Sequence, residues 1–156
     1  MKTQIELARE GVMTSQMETI AIDENIDVKI IIECVAKGEI VIPNNPYRPN
    51  QKVVGIGSGL RTKVNASIGT SSDICDIDAE IRKAQIAEEE GADTLMELSA
   101  GGDLDAIRRA VISSTNLPVG NVPLYQAFKE TGRKYQNPAK LDPEFIFELI
   151  EKQLAD

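Results

Sequence analysis

The sequence predicts an α/β protein in which a mostly helical N-terminal subdomain precedes a series of parallel β/α units. Residues 1–37 carry helical spacing without obvious chemistry. Short β-branched runs at residues 62–68, 92–98 and 117–122 alternate with helical patterns, and parallel strands require such right-handed helical crossovers. The strand exits near Ser67, Met96 and Tyr125 recur at intervals of 29 residues. Roughly 30 residues per unit suits an eight-unit barrel of about 250 residues, and a doubly wound sheet gives similar spacing, so periodicity leaves both open. In a barrel, the about three and a half units here would form an incomplete piece ending in a helix.

Taken in order, Thr14 is positioned to cap a helix through Ile22, and Asp27 the next, whose Val28, Ile31, Ile32 and Val35 form an apolar face closed by Gly38. Residues 39–42 read as a short strand stopped by Pro43. Three prolines and three asparagines in residues 43–51 mark an irregular connection, which places the subdomains at residues 1–50 and 51–156. Gly55-Ile56-Gly57-Ser58-Gly59 has the look of a phosphate loop. It precedes a strand instead of following one and opening a helix, so a flexible lead-in to the strand at Thr62 is favoured.

The strand at residues 62–68 runs into the turn-prone Gly69-Thr70-Ser71-Ser72. A helix over residues 76–90 follows, with Ile77, Ile81 and Ala84 at helical spacing and Gly91 as its C-cap. Residues 92–98 form the next strand. Asp103 caps a helix reaching about Ser113, whose buried stripe is Leu104, Ile107 and Val111. Residues 117–122 are a third strand despite Pro118. Pro123 opens a helix that Gly132 should stop, and Asp142-Pro143 begins a last helix whose Phe145, Ile146, Leu149, Ile150 and Leu154 should face the core.

Composition narrows the chemistry. With 25 acidic and 17 basic residues the net charge is −8, which argues against a broad phosphate-binding surface; no nucleic-acid module is visible. Histidine, the usual general base and commonest metal ligand, is absent from the 156 residues. Cys34 and Cys75 lie far apart and in no metal-ligand spacing, so this chain alone supplies neither a zinc nor an iron–sulfur site, and two free buried thiols are expected. No signal segment or membrane-length apolar run is present, which makes a reducing cytoplasm the expected location and a membrane partner unexpected.

Several runs carry a resemblance: Val41-Ile42-Pro43-Asn44, Gly55-Ile56-Gly57, residues 60–71 (Leu60-Arg61-Thr62-Lys63 through Ser71), residues 91–99 with Met96-Glu97-Leu98-Ser99, Gly101-Gly102-Asp103-Leu104-Asp105, Ile107-Arg108-Arg109, and residues 118–126 from Pro118 to Gln126. In order and spacing they resemble the phosphomethylpyrimidine synthase (thiamine-pyrimidine synthase, ThiC) family over nearly the whole chain. The resemblance implies the first three to four units of a (β/α)8 barrel, the N-terminal, substrate-binding part of a radical S-adenosylmethionine lyase. Such an enzyme rearranges aminoimidazole ribotide to the thiamine pyrimidine. It implies S-adenosylmethionine, a [4Fe-4S] cluster and zinc for the full-length protein, and a homodimer. The family's substrate contacts would fall on Ser67, Met96 and Tyr125, with Asn65 a less certain fourth. The next histidine contact, the zinc histidines and the cluster cysteines would lie beyond Asp156, so no catalytic or metal-ligating residue is assigned here and the 156 residues alone are expected to be inactive.

Each of these residues also has an ordinary role. Met96 suits core packing, Tyr125 a helix start with a satisfied hydroxyl, and Ser67 a turn cap; Asn65 alternates with Ser67 on one side of its strand. Departures from the family pattern cluster at strand exits. Ser67 stands where asparagine is usual, Glu97-Leu98-Ser99-Ala100 where Asp-Leu-Ser-Thr is usual, and Asn121 where threonine is common. A serine offers fewer hydrogen bonds than an amide, so contacts there must be rearranged or water-filled. The alternative product is therefore 5-hydroxybenzimidazole, which a related synthase of anaerobic cobalamin biosynthesis makes from the same ribotide. A second alternative is a non-catalytic fragment or subunit of a split barrel, whose bare strand edge and apolar helix faces dock onto a partner carrying the missing half.

Overall fold

The computed structural model describes residues 2–156. The chain divides into two compact units, Met1–Val64 and Asn65–Asp156. Among the described residues no helix is long and apolar enough to cross a membrane.

The first unit packs three helices on a two-stranded antiparallel sheet. Helix α1 (Gln4–Arg9) is opened by a reciprocal capping box between Thr3 and Glu6. Helices α2 (Ser15–Glu24) and α3 (Val28–Lys37) start where the sequence places their caps, at Thr14 and Asp27, and α3 ends on Gly38 in the left-handed conformation. Their core is Ala8, Met17, Ile20, Ala21, Ile31 and Val35, continued by Ile40 and Ile42. Ile31 and Val35 point inward from α3, whereas Ile30 is half exposed, as a one-sided apolar stripe requires.

Strand β1 (Ile40–Val41) pairs with β2 (Ile56–Gly57). The Gly55–Gly59 run is thus a strand and its turn, which corrects the expectation of a flexible lead-in. The reason is steric: Gly57 has φ +153°, and a Cβ there would lie 2.1 Å from the Glu39 carbonyl oxygen. Only glycine lets the two backbones approach so closely.

The contact boundary falls after Val64, later than the Pro-rich segment. Val53 and Leu60 pack against the first core. Glu24 adds a tie, accepting from the Arg61 backbone N–H at 2.8 Å and from Lys63 Nζ at 2.6 Å. Both members of that ion pair are over nine-tenths buried. The Lys63 hydrogen bond, helped by the Arg61 amide, holds the Glu24 carboxyl below its ordinary value.

In the second unit, strands β3 (Asn65–Ile68), β4 (Thr94–Glu97) and β5 (Val119–Asn121) form a parallel sheet in that order. Each is shorter than its sequence run. Helix α4 (Ile77–Glu89) connects β3 to β4 and α5 (Leu104–Ser114) connects β4 to β5, capped by Asp76 and Asp103. Leu95, Ala84, Ile107, Val111 and Leu117 form the core, with Ala66, Ile68 and Val119 against it. Leu95 is fully buried, a contribution of about 2 kcal/mol for an aliphatic side chain of this size. The parallel α/β expectation holds at this level, as a small sheet with helices and no closed barrel.

The remaining elements differ from expectation in three respects. Helix α6 (Pro123–Tyr135) runs through Gly132, and the left-handed terminating residue is Gln136, φ 52°; a helical glycine costs only about 1 kcal/mol, and the buried Ala127 and Thr131 hold this turn in place. On α7 (Pro143–Leu154) Leu149 is buried, while Leu154, in the last turn, is 70% exposed. Both cysteines are free as expected, but Cys75 is exposed and Cys34 only half-buried. Gly57→Ala should destabilise the first unit by about 2 kcal/mol or more, since it adds strain and a backbone collision. Thermal unfolding reads this directly, and an unchanged midpoint would exclude the close β1–β2 approach.

Candidate functional site

The parallel register decides which side chains share a surface. Ser67 lies beside Met96, and Met96 beside Gly120. Side chains alternate along a strand, so Asn65, Ser67, Thr94, Met96 and Gly120 occupy one face of the sheet. Ala66, Ile68, Leu95 and Val119 occupy the other, and α4 and α5 cover it. On the first face Asn65 and Ser67 are exposed and Met96 is half-buried. Parallel sheets normally have both faces covered. A bare face carrying a hydroxyl, an amide and a thioether is therefore a ligand-binding surface or the lining of a larger core.

Ser67 and Met96 are thus brought together, as neighbours near the strand exits. Asn65 lies one pleat repeat earlier, where its Oδ1 accepts a hydrogen bond from Thr94 Oγ1 at 2.9 Å. Sequence reasoning misses Thr94, although its position two residues before Met96 is the signal that puts it on this face. Tyr125 lies in the first turn of α6 and is 53% exposed. It lines a small cleft with Glu97, Ser99, Asn121 and Gln126, so the structure groups it with the exits of β4 and β5.

The exits of β3 and β4 are tied together. The Thr70 N–H donates to Ser99 Oγ at 3.0 Å, and Thr70 Oγ1 donates to the Gly101 carbonyl at 2.8 Å. The Ser99 N–H in turn donates to Glu97 Oε1 at 2.8 Å. Glu97, Ser99 and Thr70 are all buried, so these bonds form away from solvent, where leaving one unmade costs most. In the sequence Thr70 and Ser99 read only as turn residues. Their 29-residue separation, equal to the strand-exit interval, is the signal that pairs them.

Beneath the cleft sits a buried guanidinium. Arg108 on α5 donates to Asp105 Oδ1 at 2.9 Å, to Gln126 Oε1 at 3.2 Å and, through Nε, to Asp156 Oδ2 at 2.9 Å. Gln153 bridges Gln126 on α6 and Asn121 on β5 at 2.9 and 2.7 Å. The network locks α5, α6 and α7 to the end of β5. Burial of Asp105 would raise its carboxyl, but hydrogen bonds from Lys152, Gln126 and Arg108 outweigh this and hold it well below the carboxylate range. A separate cleft of about 1020 Å³ between α5, α6 and α7 is lined by mixed charges, including Asp103, Lys129, Arg133 and Glu148. None of the four sequence-derived site residues borders it.

Among the described residues no group of three or more potential metal ligands occurs, and both cysteines are free.

Comparison with known proteins adds a lineage to this geometry. The family model described as "Radical SAM ThiC family" matches residues 3–156. A 5-hydroxybenzimidazole synthase of Desulforapulum autotrophicum is 71% identical over the whole chain, which spans 36% of that relative's length. A protein of the same name from Geobacter sulfurreducens is 63% identical over the same shares. Phosphomethylpyrimidine synthase 1 of Methanosarcina barkeri is 54% identical over 97% of the chain and 35% of its own length. The chain therefore spans little more than a third of these relatives.

The depressed Asp105 pKa predicts a pH signature for the Arg108 network. Its stabilisation is complete above the unfolded carboxylate value of about 3.9 and is lost as pH falls through the lower folded value. Asp105→Asn should cost about 2 kcal/mol at pH 7, with a gap to wild type that narrows below about pH 4. Denaturant unfolding across pH checks this; a pH-independent gap would contradict it.

Proposed function

Because the chain belongs to the radical SAM ThiC family, an enzyme family whose named members are synthases, we propose that it is the N-terminal, ribotide-binding portion of a 5-hydroxybenzimidazole synthase. The observation that carries this is the identity pattern. Relatives with that name reach 71% and 63%, against 54% for the phosphomethylpyrimidine synthase. The family resemblance alone puts the thiamine pyrimidine first; the identities favour the other product of the same ribotide. The departures at Ser67, Glu97 and Asn121 agree, since they lie around the strand exits where a bound ribotide would be held.

The sheet supports the placement of these residues in a barrel. Strand order β3-β4-β5 advances without reversal, so both crossovers fall on one face, as in the first units of a (β/α)8 barrel and unlike a sheet that reverses at a switch point. On this basis the bare face becomes the barrel interior. Ser67 and Met96 stand at the C-terminal strand ends, where barrel sites form, and Tyr125 at the rim. Asn65 lies deeper, tied to Thr94. Within the proposal Ser67 supplies a hydroxyl to the ribotide, Met96 an apolar, polarisable contact to its ring, and Tyr125 a phenol at the mouth. The Glu97–Ser99–Thr70 bonds fix the rim that carries them.

Radical generation by S-adenosylmethionine and an iron–sulfur cluster, and the zinc, belong to the proposed full-length enzyme. The ligands for cluster and zinc would come from outside these residues, and no step is routed through them. A cytoplasmic homodimer acting on a small molecule completes the proposal. The whole gene product, reconstituted anaerobically with iron, sulfide and S-adenosylmethionine, should convert aminoimidazole ribotide to 5-hydroxybenzimidazole, identified by mass spectrometry. Formation of pyrimidine phosphate would assign it to thiamine biosynthesis instead, and no conversion would sink the ribotide proposal.

A further inference from the structure

Gly120 sits on the bare face at the register of Met96. A Cβ built there would lie 2.7 Å from Met96 Sδ and 3.8 Å from its Cε. The thioether therefore leans across β4 toward β5, into the space that a side chain at position 120 would fill. Three other crowded glycines differ in kind: at Gly57, Gly69 and Gly101 the atom that a Cβ would strike first belongs to backbone, of Glu39, Leu98 and Ser71, so those glycines serve the fold. Gly102 meets the Cys75 side chain first but has φ +77°, and Gly55 meets Ile20 and Leu60 in the first unit. Gly120 does not have a positive φ, and the obstacle is the far part of a flexible side chain. Backbone conformation does not require glycine here; the position of Met96 does.

We propose that Gly120 is the seat of the Met96 thioether, and so a positioning residue that sets where Met96 meets a ligand on the open sheet face. Methionine has three rotatable side-chain bonds and loses more rotamer entropy on binding than a branched aliphatic chain. A notch beside it on the next strand restricts the side chain before ligand arrives, which is preorganisation. Neighbouring strands are about 4.8 Å apart, so a thioether held toward β5 is drawn away from Ser67 on β3. A methyl group at position 120 would push it back toward Ser67, into the space the shorter serine leaves.

The inference rests on the ribotide proposal only for the identity of the ligand, and its test separates the two. The whole gene product is labelled with ¹³C at methionine ε-methyl groups, and the Met96 resonance is assigned by its loss in Met96→Leu. In Gly120→Ala that resonance should shift, and affinity for aminoimidazole ribotide should weaken by about tenfold. In a Met96→Ala background, Gly120→Ala should weaken affinity by less than about twofold, because the displaced atoms are gone. An unmoved methyl resonance, or a loss that persists in full without the Met96 side chain, would overturn the seat. If Gly120→Ala fails to fold, the Gly120→Ala/Met96→Ala double variant should fold; failure of both would also overturn it. Wild-type protein that binds no ribotide would contradict the ligand assignment, while the methyl shift would still decide the seat.

Discussion

One handedness rule governs the second unit. Parallel strands joined by right-handed crossovers in an unreversed order must place every connecting helix on the same side. Here α4 and α5 bury Ala66, Ile68, Leu95 and Val119 under one apolar layer. The opposite face keeps Ser67 exposed and Met96 half-covered. That asymmetry makes half of the β-strand positions available for binding without loosening the core, since the residues that stabilise and those that face outward alternate along the same strands.

Polar networks refine what the apolar layer begins. Thr70, Ser99 and Glu97 fasten adjacent strand exits through buried hydrogen bonds, and the Arg108 cluster ties α5, α6 and α7 to β5 through Gln126, Gln153 and Asn121. A buried guanidinium is expensive unless its donors are met. Arg108 therefore constrains its surroundings more than it adds to net stability. The family's Arg-Arg pair and the residues around Gln126, conspicuous as motifs in the sequence, become one structural device once α6 is folded onto α5.

Much of this is legible in the sequence because local chemistry decides it. Thr14, Asp27, Asp103 and Asp142 all accept the capping bonds expected of them, since an N-cap needs only a side-chain oxygen and the next turn of backbone. Gly57 misleads because a two-residue strand held by a close approach to Glu39 has no periodicity to betray it. Gly132 misleads because tertiary packing overrides a weak propensity. Leu154 fits an apolar stripe but falls where the helix ends. For the site, spacing locates Ser67 and Met96 at strand exits, but which face lies bare depends on helices packed from other parts of the chain. Neither the Asn65–Thr94 bond nor the closeness of Met96 to Gly120 can be inferred without the register.

The central claim is that the bare face of β3-β4-β5 is the wall against which the ribotide binds. Peptide-resolved thiol labelling of Ser67→Cys in the whole gene product, with Ala66→Cys as the helix-side control, tests it most directly. The thiol introduced by Ser67→Cys should react and be protected by aminoimidazole ribotide, while the one introduced by Ala66→Cys should be slow with or without it. Labelling of the Ser67→Cys variant that the ribotide leaves unchanged under saturating conditions would contradict the account.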